Sequence, residues 1–77
     1  MVTFDQQAER LRAWVRLRVR DDQPLYRRGV PAALARELKC SPSWLTEYTD
    51  DPPIRHADYD RATAICAFFR VTLDHLT

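Results

Sequence analysis

The stretch "AALARELKCSPSWLTEY", residues 32–48, decides how the rest of the chain is interpreted. It contains two short apolar patterns with helical spacing and almost no linker between them. Ser41 is typical of a helix N-cap, and Pro42 suits the first helical position, where its missing N–H would have had no partner. We therefore predict one helix over about residues 31–40 and another over about residues 42–50.

The apolar residues of these two helices should face each other. Leu34, Ala35 and Leu38 share one side of the first helix, and Leu45 and Tyr48 share one side of the second. Ala35 should lie where the helices cross, because a small side chain allows a close and steep crossing. The pair should therefore hold its second helix outward from the body of the protein.

A longer amphipathic helix should precede this pair, over about residues 3–21. Thr3 and Gln6 form a capping-box pattern, and apolar residues then recur every three or four positions. The helix should stop before Pro24, which disfavours helical geometry at the preceding residue. Residues 23–28 are then expected to form a connector.

Three arginines of the first helix, Arg12, Arg16 and Arg20, recur every four residues and should form a stripe beside its apolar face. We call them the arginine stripe. Two interpretations remain open, a set of phosphate contacts or a solvated face. Trp14 and Leu17 lie away from the apolar face and could cover the connector or another subunit.

Two further helices are expected after the pair. Pro52 and Pro53 should end the helix that starts at Pro42, and a helix should follow over about residues 57–69. Thr72 should cap a short fifth helix. The expected architecture is an all-α, compact five-helix domain that occupies residues 1–77 as a single unit.

The composition is that of a folded soluble protein, with 45% hydrophobic and 30% charged residues. No apolar run approaches the roughly 20 residues of a membrane span, and no signal peptide is apparent, so a cytoplasmic location is the default expectation. The two cysteines are expected to be buried thiols. No motif for a metal or another cofactor is present, and we expect none to be bound.

Charge is unevenly distributed along the chain, although the net charge is only +1. Residues 1–40 contain nine basic and five acidic side chains, whereas residues 41–77 contain three basic and six acidic ones. Any attraction to nucleic acid should therefore come from the first half of the chain.

From about Glu9 onward, the chain resembles the helix-turn-helix domain of the lambda-repressor-like (Cro/C1, XRE) family of transcription regulators. "LARELKCSPSWLTEY", residues 34–48, lines up with the family pattern "LAxxLGVSxxxIxxxE". "ATAICAFFRVTLDHL", residues 62–76, lines up with "LxxIAxALGVSLDEL". The resemblance implies a lambda-repressor-like fold with the helix-turn-helix proper at about residues 31–50.

The chain departs from the family at two turn glycines, which are replaced by Lys39 and Arg70. Both positions often take a positive φ, which a residue with a Cβ adopts only at an energetic cost. Slightly altered turns are therefore possible at these two positions.

In this family the N-terminal part of the outward helix meets base edges in the major groove. The positions that match here are Ser41, Pro42, Ser43, Trp44, Thr46 and Glu47. Hydroxyl groups and Glu47 can form hydrogen bonds with bases, but the helix has no Arg or Gln for bidentate recognition. Asp50 and Asp51 would repel phosphates.

Phosphate contacts would have to come from elsewhere, since no Lys or Arg occurs from Cys40 to Ile54. By position, the candidates are Arg27, Arg28, Arg36, Lys39 and Arg55. They could anchor a DNA half-site, or they could be ordinary solvated charges that pair with nearby carboxylates.

The function implied by the resemblance is sequence-specific binding of double-stranded DNA by a homodimer. The chain would be a transcriptional regulator, most simply a repressor of phage or mobile-element type, that reads the major groove with residues 42–50. The alternative is a degenerate helix-turn-helix that acts as a protein–protein interaction module. Such an antirepressor or antitoxin-like protein would bind its partner through the surface around Trp44. An enzyme is not expected, because no phosphate loop or nucleophile motif is present.

Overall fold

The computed structural model describes residues 3–76, and within that range the chain forms five α-helices, a final 3₁₀ turn and no strand. Their bounds are α1 Phe4–Val19, α2 Pro24–Arg27, α3 Val30–Glu37, α4 Pro42–Tyr48, α5 Tyr59–Phe69 and the 3₁₀ turn Asp74–Leu76. The Cα radius of gyration is 11.6 Å, close to the roughly 11.5 Å expected of a compact domain of this length.

Helix α1 begins at the capping box that the sequence predicts. The Thr3 hydroxyl accepts a hydrogen bond from the Gln6 N–H at 3.3 Å, and the Gln6 side-chain oxygen accepts one from the Thr3 N–H at 3.2 Å. At 16 residues α1 is the longest helix. No helix within residues 3–76 has both the length and the apolar character needed to cross a membrane.

The prediction of a simple connector over residues 23–28 is wrong, because Pro24–Arg27 forms the helical turn α2. Proline has the φ of a helix and lacks an N–H, so Pro24 starts a helix as readily as it ends one. The Arg28 N–H donates to the Pro24 and Leu25 carbonyls at 3.2 Å and closes this turn.

Helices α3 and α4 are joined almost directly, as predicted. The Leu38 N–H donates to the Leu34 carbonyl and the Cys40 N–H donates to the Ala35 carbonyl, both at 2.9 Å, which reverses the chain at the end of α3. Ser41 occupies the N-cap of α4 in an extended conformation, but its side chain makes no capping hydrogen bond. The helix ends at Tyr48, two residues earlier than predicted.

The core lies where α1, α3, α4 and α5 meet. Leu45 and Tyr48, predicted as the inner face of α4, are both 2% exposed, and Ala35 at the crossing is also 2% exposed. The other buried apolar residues are Leu11, Val15, Val19, Leu34, Leu38, Ala62, Ile65 and Cys66. The helical spacing read from the sequence therefore identifies the core correctly.

The fifth predicted helix is only a 3₁₀ turn. Thr72 does act as a cap, since both its hydroxyl and its carbonyl accept from the His75 N–H at 3.1 Å. That bond spans three residues, which is 3₁₀ rather than α-helical geometry. Cys40 and Cys66 are free thiols whose pKa values are raised by burial.

The two residues that replace turn glycines do take a positive φ. Lys39 follows α3 with φ 56°, and Arg70 follows α5 with φ 58°. In this left-handed region a side chain crowds its own backbone, at a cost of roughly 1–2 kcal/mol. Both turns therefore keep the geometry that glycine favours and store strain instead of changing shape.

We expect Lys39→Gly to raise the free energy of unfolding by about 0.5–1 kcal/mol, since relief of strain outweighs the extra backbone entropy of glycine in the unfolded chain. Urea denaturation followed by far-ultraviolet circular dichroism would measure the change at constant m-value. Lys39→Ala is the matched control, because it removes the charge and keeps the strained Cβ. If the two variants were equally stable, this explanation would be wrong.

Candidate nucleic-acid interface

The N-terminal part of α4 is open to solvent. Ser41, Pro42, Ser43 and Thr46, four of the six residues predicted to meet base edges, are all exposed. They lie at the start of a helix whose opposite side, Leu45, is buried. The structure therefore brings these four side chains together on one accessible surface.

Trp44, the fifth predicted base-edge residue, is held between two other side chains. Its ring stacks on Tyr48, with centroids 4.9 Å apart and an angle of 15° between the planes. The Arg61 guanidinium carbon lies 4.8 Å from the Trp44 ring centroid, within the range of a cation–π interaction. Trp44 is only half-exposed, so its ring faces are largely occupied and its edge is what a partner could reach.

Glu47, the sixth candidate, is paired with Arg55, which was predicted to contact phosphate. Arg55 Nε donates to Glu47 Oε2 at 2.8 Å. The Glu47 carbonyl also accepts from the Ile54 N–H at 2.9 Å, so the loop folds back over the last turn of α4. Exposed ion pairs contribute little to stability, about 0–1 kcal/mol. This pair nevertheless engages the charged groups of two predicted contact residues with each other.

The remaining phosphate candidates have unpaired cationic side chains. Arg27, Arg28, Arg36 and Lys39 are exposed, and none of their side chains has a hydrogen bond or ion pair with any residue of the 3–76 range. Arg27 and Arg28 directly precede Gly29, the N-cap of α3 with φ 78°. Gly29 has no side chain to cap the helix, so the first-turn N–H groups of α3 remain open beside these two arginines.

A shallow groove lies beside α4 and continues toward the start of α3. Its volume is about 390 Å³, and its walls include Arg20, Gly29, Pro31, Pro42 and Thr46. The groove therefore connects the free end of α3 with the exposed start of α4. The two surfaces form one continuous concave face.

The arginine stripe contacts the C-terminal end of α4, and its last member, Arg20, also lines the groove. Arg12 Nη1 donates to the Asp50 carbonyl at 3.1 Å, Arg16 Nη1 donates to the Thr49 carbonyl, and Arg20 Nη1 donates to the Thr49 hydroxyl at 3.4 Å. All three arginines are half-buried. The interpretation of the stripe as a solvated face is wrong, because its side chains contact Thr49 and Asp50 at the C-terminal end of α4. The interpretation as phosphate contacts stays a prediction.

Thr49 and Arg61 are two residues of this region that the sequence analysis missed. Thr49 is 1% exposed, and its hydroxyl donates to the Leu45 carbonyl at 2.8 Å. Its position four residues after Leu45 is a helical signal that could have indicated burial. Arg61 has no such signal. It lies on α5 and its partner Trp44 lies on α4, and spacing along the sequence does not show which residues of two separate helices meet.

Trp14 and Leu17, proposed to cover a second contact, behave differently from each other. The Trp14 ring packs edge-on against Phe69 at 5.0 Å between centroids, and the Arg18 guanidinium lies 3.7 Å from the Trp14 centroid. Leu17 is 65% exposed and contributes to no part of the core. Of these two side chains, Leu17 is therefore the one that remains accessible to another subunit.

Comparisons of the chain with protein-family models, with curated proteins and with solved structures found no match. Within residues 3–76 no cluster of three or more His, Cys, Asp or Glu side chains is arranged to hold a metal ion.

Tyr48 carries the only buried side-chain polar atom without a hydrogen bond in the described range, its hydroxyl oxygen. A buried hydroxyl without a partner costs roughly 1–3 kcal/mol. Tyr48→Phe should therefore raise the free energy of unfolding by about 1 kcal/mol, because the ring stacking on Trp44 is kept and the unpaired group is removed. Thermal unfolding at neutral pH would measure the difference.

An alkaline titration provides an independent check on the same substitution. Burial raises the pKa of Tyr48 far above its ordinary value, with the Arg12 charge opposing the shift. The unfolded chain therefore loses this proton first, and stability should fall as the pH rises above about 10. Tyr48→Phe should show a smaller fall. An identical fall in both proteins would mean that Tyr48 is not shielded.

Proposed function

We propose that this chain is a lambda-repressor-like helix-turn-helix protein that binds double-stranded DNA and regulates transcription, most simply as a repressor of phage or mobile-element type. The observation that carries the proposal is the α3–α4 pair. Its linker is nearly absent, its inner residues Leu45 and Tyr48 are buried, and the first turn of its second helix is exposed. Such a pair can place α4 in a major groove.

The distribution of free cations supports this proposal. Arg27, Arg28, Arg36 and Lys39 lie before and along α3, and α4 itself contains no Lys or Arg. Phosphate contacts orient a protein on the duplex and supply salt-dependent affinity, so they can come from a neighbouring helix. In this arrangement the cations of the α2–α3 region grip the backbone and α4 is left to meet the bases.

Recognition of bases by α4 would rest on small groups. Ser43 and Thr46 can donate to or accept from several bases, and the Thr46 methyl can contact a thymine methyl. Each such contact discriminates less than a bidentate Arg–guanine pair does. Sequence-dependent groove shape would therefore supply part of the specificity.

A symmetric dimer on a palindromic site is part of the proposal. One domain of this size buries a small interface on DNA, and two-fold assembly doubles it. Among the side chains that the structure describes, Leu17 on α1 is the most exposed large apolar one, at 65%, and is a candidate for the dimer contact.

A protein-binding module is the second candidate, and the loop after α4 favours it. Asp51 is exposed and Asp50 is half-exposed beside the C-terminal end of α4. Arg55, the one nearby cation of that loop, is engaged by Glu47. This acidic end would repel phosphates, whereas it would complement a basic partner surface beside the Trp44 edge.

Selection of bound duplexes from a random DNA library, followed by titration of the winner at two salt concentrations, tests the proposal directly. A palindromic consensus whose affinity falls steeply with salt would support the regulator and reveal its half-site spacing. If no sequence is enriched even at low salt, the DNA-binding proposal is wrong and the protein-binding module is favoured.

We expect Arg27→Ala to weaken binding to all duplexes about equally and to reduce the slope of log K against log salt by about 0.9, the value for one lost phosphate contact. Arg28→Ala should do the same. Arg10→Ala is the matched control, because Arg10 is an exposed arginine of α1 that was not predicted to contact DNA. Equal effects at Arg10 and Arg27 would show only a general charge effect.

A further inference from the structure

The arginine stripe makes three contacts with a single short segment, Thr49–Asp50, at the C-terminal end of α4. Arg12 and Arg16 each donate to a main-chain carbonyl, and Arg20 donates to the Thr49 hydroxyl. The last carbonyls of a helix lack partners within the helix and carry the negative end of its dipole. Guanidinium groups are well suited to both features.

Helix α4 depends on such contacts for its orientation. It has seven residues, and isolated helices shorter than about 12 residues are marginal in water. Its inner face rests on Leu45 and Tyr48, and its N-cap residue Ser41 makes no side-chain bond. The stripe is therefore the polar connection that ties one end of α4 to another helix.

We propose that Arg12, Arg16 and Arg20 are positioning residues that set the angle at which α4 projects from the protein, with Arg16 at the centre of the set. They determine which side chains of α4 reach a partner. Arg12 and Arg16 do not contact the partner themselves, since of the three arginines only Arg20 lines the groove. The proposal rests on the proposed function to the extent that α4 is taken as the binding surface.

The half-buried state of the stripe separates it from the phosphate candidates. Each of its guanidinium groups donates within the protein, whereas the guanidinium groups of Arg27 and Arg28 are exposed and have no partner among residues 3–76. Moving Arg16 to a phosphate would leave the Thr49 carbonyl unpaired beside the core. The stripe should therefore stay in place when DNA or a protein binds.

The first test needs no ligand. Amide hydrogen exchange measured by NMR should show that Arg16→Gln speeds exchange of the α4 amides about tenfold more than exchange of the α5 amides, since one charge-assisted hydrogen bond to α4 is lost. Arg16→Lys, which keeps a cation at the carbonyl end, should recover part of the protection. Arg10→Gln is the control and should leave both helices unchanged.

Equal acceleration in α4 and α5 would mean that Arg16 supports the whole fold and does not position α4, which would overturn the proposal. If Arg16→Gln does not fold, Arg12→Gln serves instead, because the one hydrogen bond that it removes is that to the Asp50 carbonyl. The same comparison between the two helices then decides the question.

The second test uses the selected duplex and a random duplex. Arg16→Gln should reduce the ratio of their affinities about tenfold and leave the salt slope equal to that of Arg10→Gln. A salt slope lower by about 0.9 would assign Arg16 to a phosphate and overturn the proposal. If the wild-type protein selects no duplex, the proposed function fails, while the exchange comparison still determines whether the stripe positions α4.

Discussion

The end of α4 imposes the constraint on which the rest of the structure depends. The carbonyls at the end of a helix have no partners inside the helix, and two prolines follow α4 shortly after its last residue. The chain satisfies the groups at Thr49 and Asp50 from outside, with arginines that recur at the four-residue spacing of α1. The positions of the arginines along α1 and the position of α4 are therefore determined together. The capping box at Thr3 marks where α1 begins.

This use of arginine explains how the charge of the protein is distributed over its surface. The first half of the chain has an excess of basic residues, but three of its nine cations are turned inward by the stripe. The exposed cations that remain before and along α3 form a small basic area, and the loop after α4 is acidic. The consequence is a protein in which the exposed cations lie before and along α3, whereas the exposed carboxylate Asp51 follows α4.

The sequence predicts the helices and the core well because these depend on local rules. Apolar spacing identifies Leu45 and Tyr48, and cap residues locate the starts of α1 and α4. The errors arise where one residue type permits two structures, as Pro24 does at α2. Contacts of long polar side chains could not be predicted, because periodicity indicates the face on which Arg16 or Arg61 lies and not the distant group that it reaches.

The contacts of the arginine stripe join residues that are 29, 33 and 38 positions apart. Closing such long segments costs more chain entropy than forming a helix or the short α3–α4 turn. During folding, the local turn between α3 and α4 can therefore appear before α1 docks, as a helix pair without a defined exit angle. If the stripe positions α4 as proposed, the angle of α4 requires that the N-terminal and central parts of the chain come together.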